Sequence, residues 1–159
     1  MAAVRRAQVT WNGDLATGSG TLDAATSGAF AGLPVTWGSR TEQADGRTSP
    51  EELLAAAHAS CFSMALSSGL AKAGLKPEQL IVSAEVTFDR TDAGWTVISS
   101  HLHVTGLVPG IDQARFRELA DQAKAGCPIS RAISGNVEVR LDAVLDVATT
   151  MDMATTGRP

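Results

Sequence analysis

The stretch Leu53–Leu70 holds 18 consecutive residues without a single Asp, Glu, Lys or Arg. No surface segment of a folded domain needs so little charge, so this run sets the centre of the fold. Its entry is written in the residues before it, Thr48-Ser49-Pro50-Glu51-Glu52. Ser49 suits an N-cap, Pro50 the first helical position, and Glu52 the third residue of a capping box. Gly74 and Pro77 mark the exit. The reading is a helix of about six turns, apolar on all sides and therefore expected to be buried. Cys61 lies in its middle, with His58 one turn earlier on the same face.

The flanking segments alternate. Arg6–Trp11, Gly20–Asp23 and Ala29–Trp37 read as short antiparallel strands, with Pro34 making the third an edge or a bend. Ile81–Arg90 places Val82, Ala84, Val86 and Phe88 on one face. Trp95–Val104 places Ile98, Leu102 and Val104 on one face and His101 and His103 on the other, and Asp92-Ala93-Gly94 joins the two runs as a hairpin. Asp112 caps a second helix to about Ala125, with a stripe of Phe116, Leu119, Ala120 and Ala123 and a staple between Ile111 and Phe116. Asn136–Ala143 is a last alternating strand. Strands in sequence pairs around two helices indicate an α+β fold with mostly antiparallel sheets, one domain over 1–146 and a frayed tail over 147–159.

Charge and cysteine content narrow the function. A net charge of −4 offers no basic surface for nucleic acid. No apolar run is read as a membrane span, and no apolar stretch follows Arg5 and Arg6 as in a secretory signal, so the expected compartment is the cytoplasm. The two cysteines, 66 positions apart, are too few for a disulfide scaffold. They read as inert core residues, metal ligands or redox partners, and composition alone favours the first.

Each chemical candidate has a plain alternative. A buried Cys61 is a poor nucleophile unless a cation reaches it, and His58, Arg40 and Arg47 are the nearby candidates. Cys127 follows Gly126 and precedes Pro128, so it is expected in an accessible turn where a thiol can move. Glu51 and Glu52 suit the first turn of a helix through its dipole; the capping box accounts for Glu52 but not for Glu51. His101 and His103 have a spacing compatible with metal ligation, but no third or fourth ligand is evident, and two solvated histidines are the simpler reading. Trp11, Trp37 and Trp95 are expected in the core rather than lining a pocket.

The segment Ser49-Pro-Glu-Glu-Leu-Leu-Ala-Ala-Ala-His-Ala-Ser-Cys-Phe-Ser-Met-Ala-Leu66 resembles the central helix of the OsmC/Ohr family of osmotically inducible and organic hydroperoxide resistance proteins. Ala123-Lys-Ala-Gly-Cys-Pro-Ile-Ser130 resembles that family's second-cysteine motif. Gln8-Val-Thr-Trp-Asn-Gly-Asp14, Asp92-Ala-Gly94 and Val108-Pro-Gly-Ile-Asp112 are similar to the OsmC branch in particular. The resemblance runs from about residue 5 to 143.

The resemblance implies a thiol-dependent peroxidase acting in stress defence, built as an intertwined homodimer with active sites at the subunit interface. It makes Cys61 the peroxidatic cysteine and Cys127 the resolving one. It matches Glu51 to a glutamate ten residues before the peroxidatic cysteine, and it calls for an arginine that meets both the thiolate and that glutamate. Arg40 fits this position, with Arg47 competing because the loop before Pro50 is about one residue longer than the family pattern. The implied substrates are organic hydroperoxides, with hydrogen peroxide weaker, and the implied reductant is a lipoyl-type dithiol. No metal, haem or flavin is implied. Ten helical residues cover about 15 Å, so Glu51 meets a Cys61 only if the helix bends or if a partner subunit supplies one of them. A redox sensor using the same disulfide, and a structural or ligand-binding dimer with inert cysteines, are the competing readings.

Overall fold

The computed structural model describes residues 2–23 and 25–146; the expected tail over 147–159 lies outside the described residues. The strands form two three-stranded sheets, and the long helix packs on the second of them. The first holds β1 (Gln8–Asn12), β2 (Ser19–Asp23) and β3 (Leu33–Val35) in that order, all antiparallel. Asp14 shapes the β1–β2 connection by accepting from the amides of Ala16 and Thr17, both at 2.8 Å. Pro34 sits on the edge strand β3, where its missing N–H costs no ladder bond. This strand is much shorter than the alternation over Ala29–Trp37 suggests: Gly28 and Gly32 take positive φ and keep residues 29–32 out of the ladder, and the chain turns into a short helix, α1, at Gly38–Thr41.

The second sheet holds β4 (Gln79–Thr91), β5 (Gly94–Leu107) and β6 (Glu138–Leu145). β4 and β5 form the expected hairpin. β6 departs from the antiparallel expectation and pairs with β5 in parallel. The reason is topological: α3 (Gln113–Gly126) and α4 (Pro128–Ile133) intervene and carry the chain back to the starting end of β5. α4 was not legible as a helix, because its six residues carry no periodic pattern.

The central helix α2 spans Pro50–Lys72, close to expectation. Ser49 Oγ accepts from the Glu52 amide at 3.1 Å, but the Glu52 carboxylate takes the Thr48 hydroxyl at 2.7 Å rather than closing the capping box. By length and hydropathy α2 could cross a membrane, which corrects the reading that no run is long enough. Here it is instead a core helix. Phe62, Leu66 and Leu70 are buried with Leu102, Val104, Phe116, Leu119, Ala120 and Ala123. Phe116 approaches β5 so closely that Gly106 leaves room for its ring where any Cβ would collide.

Only one side of α2 is covered. The opposite side, including Ser60, Ser67 and a Met64 that is 68% exposed, is open in the single chain. The expectation of burial on all sides is therefore wrong for one chain: a lack of charge shows that a face tolerates burial, not that its own chain covers it. The first sheet is similarly bare, with every residue of β1 exposed.

Candidate active site

The site is built on α2, on the α3–α4 junction and on the loop that enters α2. Cys61 is partly exposed and Cys127 is completely buried, and both are free thiols. The position of Cys127 reverses expectation. The chain does turn there, but the N-cap of α4 packs directly under α2, so the thiol is a core residue and not a mobile one.

The two sulfurs are close enough for each to bias the other's ionisation. Burial pushes the Cys61 thiol up, offset in part by the Ile129 amide, while neighbouring Cys127 pushes it further up. Burial acts on Cys127 in the same sense but is outweighed. The Ser130 amide and hydroxyl, the Cys61 thiol and the Ile129 amide all favour its anionic form, and its pKa is lowered. Within one chain, therefore, the accessible thiol is the less ionised of the two. Cys61 is the accessible thiol, and among the described residues no cation acts on it to make it reactive.

His58 does not supply that cation. Its ring is wholly buried, with Nδ1 2.7 Å from Ser100 Oγ on β5 and Nε2 2.8 Å from Ser130 Oγ on α4. Burial lowers its pKa, so it stays neutral. Its place is structural: it ties α2 to the sheet and to the α4 turn beside Cys127. Ser100 and Ser130 were not read from sequence, since nothing signals a bond across 42 or 72 positions. Because the folded-state pKa of His58 lies below the unfolded value, the unfolded chain binds the extra proton as pH falls. Its contribution to stability is present above about pH 6.5 and is lost below it. Denaturant midpoints at pH 7.5 and 5.5 are expected to fall more for the wild type than for His58→Gln. An equal fall would mean that His58 is not held neutral.

The cation sits at the start of α2. Arg40 Nε lies 3.0 and 3.1 Å from the two Glu51 carboxylate oxygens, and Nη2 lies 2.7 Å from Oε1. Glu51 is 8% exposed, so this paired geometry explains the glutamate that the capping box left over. Reciprocal bonds fix the arginine's backbone: the Thr36 amide donates to Ser39 Oγ at 3.1 Å and the Ser39 amide to Thr36 Oγ1 at 3.0 Å. Ser39 Oγ also donates to the Thr48 carbonyl at 2.9 Å, pinning α1 to the entry of α2. The guanidinium carbon lies 4.0 Å from the Phe88 ring centre and 5.7 Å from that of Trp37.

Phe88 stacks on Trp95 at 5.1 Å, and Trp37 meets both edge-on. The register shift between Thr87 and Phe88 makes this possible: it leaves Ile98 unpaired and turns Trp95 onto the Phe88 face. The tryptophans are thus not core residues. Trp95 is 47% and Trp11 39% exposed, and Trp11, Trp37 and Arg40 line an apolar hollow of about 340 Å³ with Val9, Leu15, Leu22, Val35 and Leu53.

Arg47 lies elsewhere. The loop before α2 makes a tight turn in which Asp45 and Gly46 both take positive φ and the Arg47 amide donates to the Ala44 carbonyl at 2.8 Å. Arg47 then pairs with exposed Asp45 at 2.9 Å and not with Glu51. The structure thus brings Cys61 to Cys127 and Arg40 to Glu51, as two separate pairs. α2 runs without interruption between them, so in one chain they stand about 15 Å apart.

The OsmC-like protein family matches residues 43–142. The chain is 41% identical over 138 residues to the peroxiredoxin OsmC of Escherichia coli strain K12, covering 87% of this chain and 94% of that protein. It is 34% identical over 95 residues to the organic hydroperoxide resistance protein of Xanthomonas axonopodis pv. citri, covering 59% of this chain and 65% of that one. Among solved structures, the organic hydroperoxide resistance protein of Elizabethkingia anophelis superposes with a TM-score of 0.73 at 26% identity, over 92% of this chain and all of that one.

Proposed function

Given that the chain belongs to the OsmC-like protein family, we propose that it is a thiol peroxidase that reduces organic hydroperoxides, and hydrogen peroxide more weakly, through a Cys61–Cys127 disulfide. The observation that carries this reading is the pairing of a partly exposed Cys61 with a buried Cys127 close enough for each to bias the other's ionisation. Peroxide reaches only the first, so Cys61 is the attacking residue despite the lower pKa of its neighbour.

The reaction balances simply. The Cys61 thiolate attacks the distal oxygen of R–O–OH, the O–O bond breaks, and the alkoxide leaves and takes a proton to become the alcohol. Cys61 is now a sulfenic acid. Cys127, with its thiolate favoured by Ser130 and Ile129, attacks that sulfur and hydroxide leaves as water. A lipoyl-type dithiol then reduces the disulfide by exchange. A reducing cytoplasm suits a cycle that must end in two free thiols.

The missing cation comes, on this reading, from a second copy. Arg40 and Glu51 of the partner meet Cys61, stabilise its thiolate and neutralise charge developing on the leaving oxygen. The bare face of α2, with exposed Met64, and the open first sheet, with exposed Val9 and Trp11, support an intertwined homodimer, since a partner can bury these side chains. The hollow beside Arg40 has the size and apolar lining for an organic tail.

The purified protein with excess dithiol is expected to consume cumene hydroperoxide faster than hydrogen peroxide, over many turnovers. Stoichiometric disulfide formation without turnover would instead favour a redox sensor, and absence of any thiol reaction would make the cysteines structural.

A further inference from the structure

The outer face of the second sheet, opposite the side that carries Ser100 and the core, holds a group of residues that the peroxidase chemistry does not use. In the β4–β5 ladder Glu85 stands directly across from His101, and Ser83 from His103. In the β5–β6 ladder His103 stands across from Asp142, and His101 from Arg140. Alternation puts all of these side chains on the same face. Two histidines on the middle strand are thus flanked by one carboxylate from each neighbouring strand, ligands that no linear spacing could reveal.

The distances go beyond simple proximity. One ligand atom each from Glu85, His101 and His103 lies within 4.8 Å of the others. Asp142 Oδ2 is 2.9 Å from His101 Nε2 and 3.6 Å from His103 Nδ1. The imidazole rings are 4.0 Å apart between centres. His103 Nε2 is buried and has no hydrogen-bond partner among the described residues; the Glu85 carboxylate stands off at 4.0 Å, too far for a hydrogen bond. A buried imidazole nitrogen facing a carboxylate across a gap wider than a hydrogen bond leaves room for an atom between them. The one cation in register, Arg140, is drawn away to Glu138 at 2.6 Å.

We propose that Glu85, His101 and His103 bind a divalent transition-metal cation of the Zn²⁺ class, with Asp142 as the carboxylate that orients His101 or completes the shell. Two neutral imidazoles and two carboxylates balance a charge of +2, and nitrogen with carboxylate oxygen is the donor set such ions prefer. Ligand atoms around tetrahedral Zn²⁺ sit roughly 3.4 Å apart, given metal–ligand bonds of about 2.0–2.2 Å. The three ligand atoms, all within 4.8 Å of one another, have to draw together to reach that spacing, and the exposed Glu85 side chain can swing toward the histidines. A bound ion would clamp β4, β5 and β6 together across the sheet. The site depends on neither cysteine and is independent of the peroxidase reading.

The test is Zn²⁺ titration of the full chain by calorimetry, both reduced and as the Cys61–Cys127 disulfide, the second form removing thiolates as ligands. One Zn²⁺ per chain is expected in both forms, with affinity reduced at least tenfold by His103→Ala and by Glu85→Gln while peroxide turnover is unchanged. Co²⁺ is expected to give visible bands of a four-coordinate site without the thiolate charge-transfer band. Uptake confined to the reduced form, uptake that both variants leave unaltered, or no uptake would each overturn the proposal.

Discussion

Cys61→Ser is expected to abolish peroxide turnover, leaving only the background rate of the dithiol. The reason is chemical: a serine hydroxyl has no accessible anion at neutral pH, and no other thiol of the chain is exposed. Cys127 cannot substitute, although its ionisation is the more favoured, because it is entirely buried beneath α2. The companion variant Cys127→Ser separates chemistry from recycling. It is expected to react once with peroxide at close to the wild-type rate. Without a resolving thiol, the sulfenic acid should then progress to sulfinic and sulfonic acids, seen by mass spectrometry as successive oxygen additions at Cys61. Full turnover by Cys61→Ser would remove the mechanism. Normal cycling by Cys127→Ser with a dithiol would leave Cys61 as nucleophile and deprive Cys127 of its role.

The sequence disclosed most where local chemistry and tertiary structure agree. Ser49, Pro50 and the uncharged run specify α2 within a residue or two, and Asp112 caps α3 by accepting from the Arg115 amide at 2.8 Å. The β4–β5 hairpin follows from alternation and its turn. What was not legible is what depends on contacts between distant segments. The parallel docking of β6 is decided by the crossover and not by its own residues. The burial of Cys127 is decided by α2 passing over the α3–α4 turn, which a Gly-Cys-Pro triplet does not announce. The tryptophans were assigned to the core on size alone. A single irregular residue in β5 turns Trp95 toward Phe88 and builds the base on which Arg40 rests. For the candidate site, residue type and position singled out Cys61 and two candidate arginines, and the family resemblance added Glu51. What separates the two arginines in the fold is the turn at Asp45-Gly46, whose left-handed backbone leaves Arg47 exposed beside Asp45 while Arg40 pairs with Glu51.

Arg40→Ala is expected to slow Cys61 oxidation by about 10²–10³-fold at pH 7, the usual cost of deleting one charge-stabilising donor from a preorganised site. Two effects combine. On the proposed mechanism the thiol loses the cation that offsets its burial, which pushes its pKa up, and the leaving oxygen loses its partner. The rate of the variant should therefore climb with pH until the unassisted thiol ionises, whereas the wild-type rate should level off earlier. Arg47→Ala should be near wild type, because Arg47 pairs only with exposed Asp45, and Arg40→Lys should recover little, lacking the planar fork that engages both Glu51 oxygens. A reversed result for the two arginines would move the role to Arg47. Whether the arginine acts on its own chain or on its partner is decided by mixing. If each site takes Cys61 from one copy and Arg40 from the other, inactive Arg40→Ala and inactive Cys61→Ser chains, unfolded and refolded together, form mixed dimers with one intact site. Equal amounts should then recover roughly a quarter of wild-type turnover, as random pairing in a symmetric dimer requires. No recovery would mean that Arg40 serves the cysteine of its own chain. With α2 unbroken between Glu51 and Cys61, that outcome would demand a rearrangement of about 15 Å.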